Sequence, residues 1–262
     1  KMKKSPIALA LAALFPLSAW SAEPVALDTV EVTTTRFDDQ VLSRGEVDKA
    51  TIESLRATVS DSASLLRDIP GVSLYGAGGV SSLPAIHGLA DDRVRTQVDG
   101  MDLIAACPNH MNPALSYIDP SRVESVEVYA GVTPVSVGGD SLGGSIIVNS
   151  KAPKFAKAGE GMLAEGELGA FFRSNGDARG ANIGVTLAND NLSIAYAGST
   201  ARSDNYIAGG DFKTTTATGR LGHTLPLDEV GSTAYKAHNH ALDVAWRNGN
   251  HQFDLKLTRQ DV

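Results

Sequence analysis

With one cysteine in 262 residues, the chain cannot close an intramolecular disulfide. Cys107 therefore has to be explained by burial or by ligation. Aromatic residues are scarce, at 6%, and only four methionines are present, so a Met close to the cysteine is informative. A basic excess is also missing. The formal net charge of −7 argues against nucleic acid as a partner. After the N-terminal segment, no run reaches about eighteen apolar residues, which excludes helical membrane spans.

The N-terminus itself carries an address. Lys1, Lys3 and Lys4 precede an apolar run from Pro6 to Leu17, followed by the small residues Ser18, Ala19, Ser21 and Ala22. A basic start, a short apolar centre and small residues at the exit describe a secretory signal peptide over 1–22, with cleavage after Ser21 or Ala22. The run is too short to span a membrane as a helix. Export implies an oxidising compartment, where a free thiol is unusual.

Cys107 lies in Ala106-Cys107-Pro108-Asn109-His110-Met111-Asn112-Pro113, which places a thiol, an imidazole and a thioether within five residues. Cys107 and Met111 are four apart, so one helical turn, with Pro108 at its first position, would put both sulfurs on one side. A thiolate with a thioether favours a soft ion such as Cu(I), whereas zinc sites rarely recruit methionine. The alternative is a small buried hydrophobe beside a gap-filling methionine. His110 is a further candidate ligand. So is the pair His238 and His240, whose spacing sets two imidazoles on one strand face, although their place just before an apolar alternation also fits a solvated loop. His87, His223 and His251 are isolated.

Residues 23–58 are polar and rich in Thr and Asp. Within them Asp28, Thr29, Val30, Glu31, Val32, Thr33 and Thr34 form a β-prone segment suited either to adding a strand to another protein's sheet edge or to serving as an ordinary first strand. Residues 59–153 read as an α+β unit. Ser60 is expected to cap a helix to Asp68 that buries Leu65, Leu66 and Ile69, and Pro70-Gly71 stops it. Val94–Val98 alternates like a strand and ends at the turn signal Asp99-Gly100. Strands are also expected over Val123–Val128 and Ser145–Asn149. After Pro153 the pattern changes to segments of about ten residues, apolar on one face and polar on the other: 162–173, 181–188, 192–197, 242–247 and 253–257. That alternation is the signature of transmembrane β-barrel strands, and a soluble β-sandwich gives a similar pattern; the signal peptide and the small or charged residues on the polar face favour the barrel.

Residues 60–150 resemble the plug domain of the TonB-dependent outer-membrane receptors. The residues that carry the likeness are 61–72 (Asp61 to Val72), Val98-Asp99-Gly100, 122–128 (Arg122 to Val128) and 143–149 (Gly143 to Asn149). The segment from Ala106 to Pro113 is similar to the apex loop of the copper receptors in that family. The resemblance implies a plug followed by antiparallel transmembrane barrel strands, over 59–153 and 154–262, in the outer membrane of a Gram-negative cell. It makes Cys107 and Met111 ligands of a transported copper ion, and 23–58 a periplasmic segment. Within that segment Asp28–Thr33 is the box that the TonB energy-coupling protein engages. Outer-membrane lipid would surround the strands, and no enzyme activity is implied. The family closes its barrel with twenty-two strands and adds a His-x-Met pair from the barrel wall. Only five or six strands are legible here and no methionine follows Met162, so the chain is expected to be part of a longer product with an incomplete barrel.

Two alternatives accompany this expectation. One is a receptor of the same kind for zinc, haem or a siderophore. The other is an exported serine hydrolase, because Gly139-Asp140-Ser141-Leu142-Gly143 matches a nucleophile elbow. That elbow requires a helix after Ser141.

Overall fold

The computed structural model describes residues 44–76, 78–105, 107–139 and 141–262. The predicted signal peptide and the Asp28–Thr34 segment lie outside them.

A first, mixed sheet is built from β1 (Arg44–Val47), β4 (Val94–Val98), β5 (Met101–Asp102), β6 (Val123–Ala130) and β7 (Gly144–Ser150), in the order β1-β6-β7-β4-β5. β4 and β7 run parallel and the other pairs antiparallel. The alternation expected over 123–128 is present, with a bulge between Val123 and Ser125. Asp99 and Gly100 both take positive φ, +52° and +78°, as a type I′ turn between β4 and β5 requires. A separate hairpin pairs β2 (Val72–Gly76) with β3 (Ser82–Ile86). The core of this unit is Ile52, Leu66, Ile86, Leu115, Val123, Val126, Val128, Ile146 and Val148, all inaccessible or nearly so.

Three details differ from the sequence reading. The polar stretch 23–58 contributes β1 and a helix, α1 (Lys49–Leu55), to this unit. Asp48 accepts the Thr51 N–H at 2.9 Å as its cap, and Ile52 is fully buried. The helix expected after Ser60 is a 3-10 turn over Ser62–Leu66, capped by Asp61. The Asp61 carboxylate accepts N–H groups from Ala63 at 3.1 Å and from Ser82 at 3.2 Å, a pairing across 21 residues that sequence cannot display. The apolar face was read correctly, since Leu65, Leu66 and Ile69 are all buried.

The second sheet is a five-stranded antiparallel meander in chain order: β8 (Leu163–Arg173), β9 (Ala178–Ala188), β10 (Leu192–Ser203), β11 (Tyr235–Asn248) and β12 (His251–Asp261). Among the described residues it does not close on itself. Asn189 accepts from the Asn191 and Leu192 N–H groups in the tight β9–β10 turn, and Gly249 takes φ +57° between β11 and β12. The connection 204–234, from β10 to β11, is long and lies at the opposite end.

The two faces of this sheet are chemically distinct. One carries Leu168, Phe172, Ile183, Val185, Leu187, Ile194, Tyr196, Leu242, Trp246, Phe253, Leu255 and Leu257, all exposed. Exposed apolar side chains in cross-strand register over five strands form a continuous apolar band of the kind a barrel wall presents to lipid. The other face holds small and polar residues and meets the first unit. Glu167 accepts from Arg56 at 2.8 Å and from Lys151 at 2.5 Å, and Arg173 and Tyr235 both hydrogen-bond Ser60. Asp119 accepts from Ser199 and Asn239, each at 2.9 Å. Lys256 reaches Asp99 at 2.8 Å and Ser150 at 2.7 Å. These contacts tie the compact unit to the inner face of the strands.

Candidate metal centre

The loop that follows β5 begins under firm anchorage. Arg95 forks onto Asp102 at 2.6 and 2.7 Å and also donates to the Gly138 carbonyl at 2.8 Å. Hydrogen bonds from Arg95 are the main cause that holds the Asp102 carboxyl below the usual carboxylate range. The Leu103 N–H donates to the Thr96 carbonyl at 2.9 Å. At the far end Pro113 is buried and starts a 3-10 turn over Ala114–Tyr117, whose Leu115 is 1% exposed. Ser116 and Tyr117 donate to the Pro113 and Asn112 carbonyls.

Between these anchors the chain reverses once, over Cys107–His110. The His110 N–H donates to the Cys107 carbonyl at 2.9 Å, which closes a four-residue turn with Pro108 in its second position, where proline's fixed φ fits. The helical turn expected from the spacing does not form. His110 has φ +50°, outside the right-handed helical region, so the chain makes this single hydrogen bond and no helical turn.

Burial describes how the two sulfur side chains sit. Met111 is 58% exposed, and Cys107 is half-buried with a free thiol. Neither is a packed core residue among the described residues. His110 is mostly covered, and its Nε2 lies 3.9 Å from Asp91 Oδ1. Asp91 was not picked out from the sequence. It also adopts positive φ, +61°, which directs the chain beside the loop. Asp91, Asp92, Asp102, Ile104 and His110 line an open cleft of about 470 Å³. Among the described residues no three His, Cys, Asp or Glu side chains converge. This loop therefore offers a thiol, a thioether and one nearby imidazole, and no closed ligand shell.

His238 and His240 do share a strand face, as their spacing requires. They lie within β11 rather than in a loop before it. They point to the outward face, on the side of Leu242 and Trp246, and His240 Nδ1 is 2.8 Å from the Tyr196 hydroxyl. That face is turned away from the compact unit and from Cys107. Ser141 does not sit in a nucleophile elbow. β7 follows it where a helix is required, and its hydroxyl neighbours are Ser145 at 3.3 Å and Thr133 at 3.4 Å.

Comparison with known proteins agrees with this geometry. Residues 38–145 match the family model of the TonB-dependent receptor plug domain. A vitamin B12 transporter, BtuB, of Vibrio vulnificus is 28% identical over 268 residues, covering 94% of this chain and 41% of the transporter. Among solved structures, the copper transporter OprC superposes with a TM-score of 0.62 at 23% identity, over 83% of this chain and 30% of OprC. The Serratia marcescens hemophore receptor HasR, solved with HasA and heme, gives 0.66 at 18% identity, over 85% and 32%. The chain thus spans well under half the length of these relatives. Over residues 38–145 it matches the TonB-dependent receptor plug domain, antiparallel barrel-type strands follow, and the relatives it resembles are transporters and receptors rather than enzymes.

Proposed function

We propose that this chain is the plug and the first barrel strands of an outer-membrane receptor that binds copper at the plug loop and imports it with energy from TonB. The observation that carries the reading is a free thiol and an exposed thioether on the two sides of one tight reversal, between two anchored ends, with neither residue packed in the core. Two sulfur ligands select a soft ion over hard cations. The structural neighbour named as a copper transporter supports the same cargo.

In this reading Cys107, as thiolate, and Met111 take the ion from outside. His110 closes in from beside Asp91, and residues of the barrel wall complete the shell. The partner adds a strand to Asp28–Thr34 and pulls on the plug. The plug–wall contacts Lys256–Asp99, Arg122–Asp243 and Arg56–Glu167 are what this pull must break. Release follows from loss of the ligand geometry, and no bond in a substrate is made or broken. The segment 1–22 directs export.

A cobalamin or haem cargo is the second reading, favoured by the 94% of the chain that aligns with the B12 transporter. Copper accumulation by cells carrying the receptor separates the two. It should fall in Cys107→Ala, in Met111→Ala and on deletion of Asp28–Thr34. If the sulfur variants accumulate copper normally and only the deletion abolishes uptake of cobalamin or haem, the cargo assignment is wrong and the receptor assignment stands.

A further inference from the structure

The outward face of the barrel strands carries a second unassigned feature, at the end where the long connection 204–234 lies. Cross-strand register pairs Arg179 with Arg202 and Arg202 with Lys236, so three cations stand side by side on neighbouring strands. All three are exposed. They point away from the plug, because their strand neighbours Gly180, Ser203 and Tyr235 have the inward parity that brings Tyr235 to Ser60. Like charges directly opposite one another destabilise a sheet. Among the described residues none of the three has an ion-pair partner. Across the outward face of all five strands the sole carboxylate is Asp261, one row away and held by Arg259 at 3.1 Å. On the same face, next to Arg179, stands Phe172, and the apolar band continues below through Leu168 and Ile183.

We infer that Arg179, Arg202 and Lys236 form a docking site for the phosphate-bearing headgroup of an outer-leaflet lipid, whose acyl chains lie along Phe172, Leu168 and Ile183. Short turns mark the periplasmic end of such strands and long connections the external end, which sets this row at the external interface. A row of cations directly above an apolar band matches an amphiphile with an anionic head, and an anion between them removes the repulsion the bare row suffers. Free phosphate supplies the charge without the apolar contact. The inference rests on the outer-membrane reading and is independent of the cargo.

The test uses the receptor inserted into phosphatidylcholine vesicles, with and without a bis-phosphorylated lipid A, and counts retained lipid A by mass spectrometry. A basic residue near an anionic lipid surface contributes about fivefold in affinity, so Arg179→Gln/Arg202→Gln/Lys236→Gln should weaken lipid A retention roughly a hundredfold. Arg179→Lys/Arg202→Lys, which keeps the charge, should retain most of it, and heat-modifiable gel mobility checks that the variants are folded. Inorganic phosphate should compete only at far higher concentration than lipid A. Equal retention by wild type and the folded triple variant overturns the inference, as does inorganic phosphate binding as tightly as lipid A. A receptor that inserts normally yet shows no preference for lipid A sinks the inference alone, whereas failure to insert at all removes the outer-membrane reading with it.

Discussion

Lys256→Met asks how firmly the plug is latched to the barrel wall. In the native pairing Lys256 Nζ donates to Asp99 Oδ2 at 2.8 Å and to Ser150 Oγ at 2.7 Å. Asp99 also accepts the Ser150 N–H at 2.9 Å and the Ser150 hydroxyl at 2.7 Å, so losing the lysine does not strand the carboxylate. A hydrogen bond to a charged group is worth about 1.5–3 kcal/mol. The lysine and aspartate side chains are 23% and 19% exposed, which screens the charges and places the loss near the lower figure. About 1.4 kcal/mol is tenfold in an equilibrium, so the Ser150 amide should exchange with solvent about tenfold faster in the variant. The same experiment has a pH arm. Burial raises the Asp99 carboxyl, but hydrogen bonds from Lys256 and Ser150 and the lysine charge outweigh it and hold the group below its ordinary value. A carboxyl with a lowered folded value stabilises fully above its unfolded value near 4, and that stability is lost as pH falls through the lowered folded value. Protection of Ser150 should therefore be flat from neutrality to about pH 4 and decline below it. Unchanged exchange in Lys256→Met at neutral pH, or a latch that tightens on acidification, would refute the reasoning.

Other perturbations test the frame around the site. Gly144→Ala should be severe, since Gly144 has φ +125° and an added Cβ would stand 2.0 Å from the Tyr129 carbonyl oxygen inside the sheet. A loss above about 3 kcal/mol in urea unfolding is expected, and a loss under 1 would contradict the close approach. Asp61→Ala removes the acceptor for two N–H groups and should cost about 1–2 kcal/mol in the same measurement. Val185→Arg places a cation mid-band on the outward face. It should lower barrel stability in vesicles by about 2–4 kcal/mol, and no change would mean that this face does not meet lipid.

Much of the architecture was legible because the strongest signals are local. Strict alternation marked all five barrel strands, and Asp99-Gly100 marked the turn that leads to the Cys107 loop. Failures came where the signal is long-range or changes character along one element. β11 runs seven residues ahead of the alternation at Leu242, through His238-Asn239-His240, because a barrel strand continues past the lipid band and its outer face turns polar there. β1 hides in a polar segment since Arg44 and Glu46 lie at the sheet's edge and only Val47 is buried. Spacing suggested one helical turn carrying Cys107 and Met111, and could not show that positive φ at His110 makes a β-turn instead. Asp91, 19 residues before His110, carried no motif at all.

Cu(I) binding by the folded receptor, measured in competition with a colorimetric Cu(I) chelator, tests the central claim most directly. Loss of an outer-shell partner costs roughly 10–100-fold in metal affinity, so removing a sulfur ligand itself by Cys107→Ala or Met111→Ala should exceed that range and leave Zn(II) binding unchanged. If both variants compete for Cu(I) as well as the wild-type receptor does, the loop at Cys107–Met111 is not the copper site.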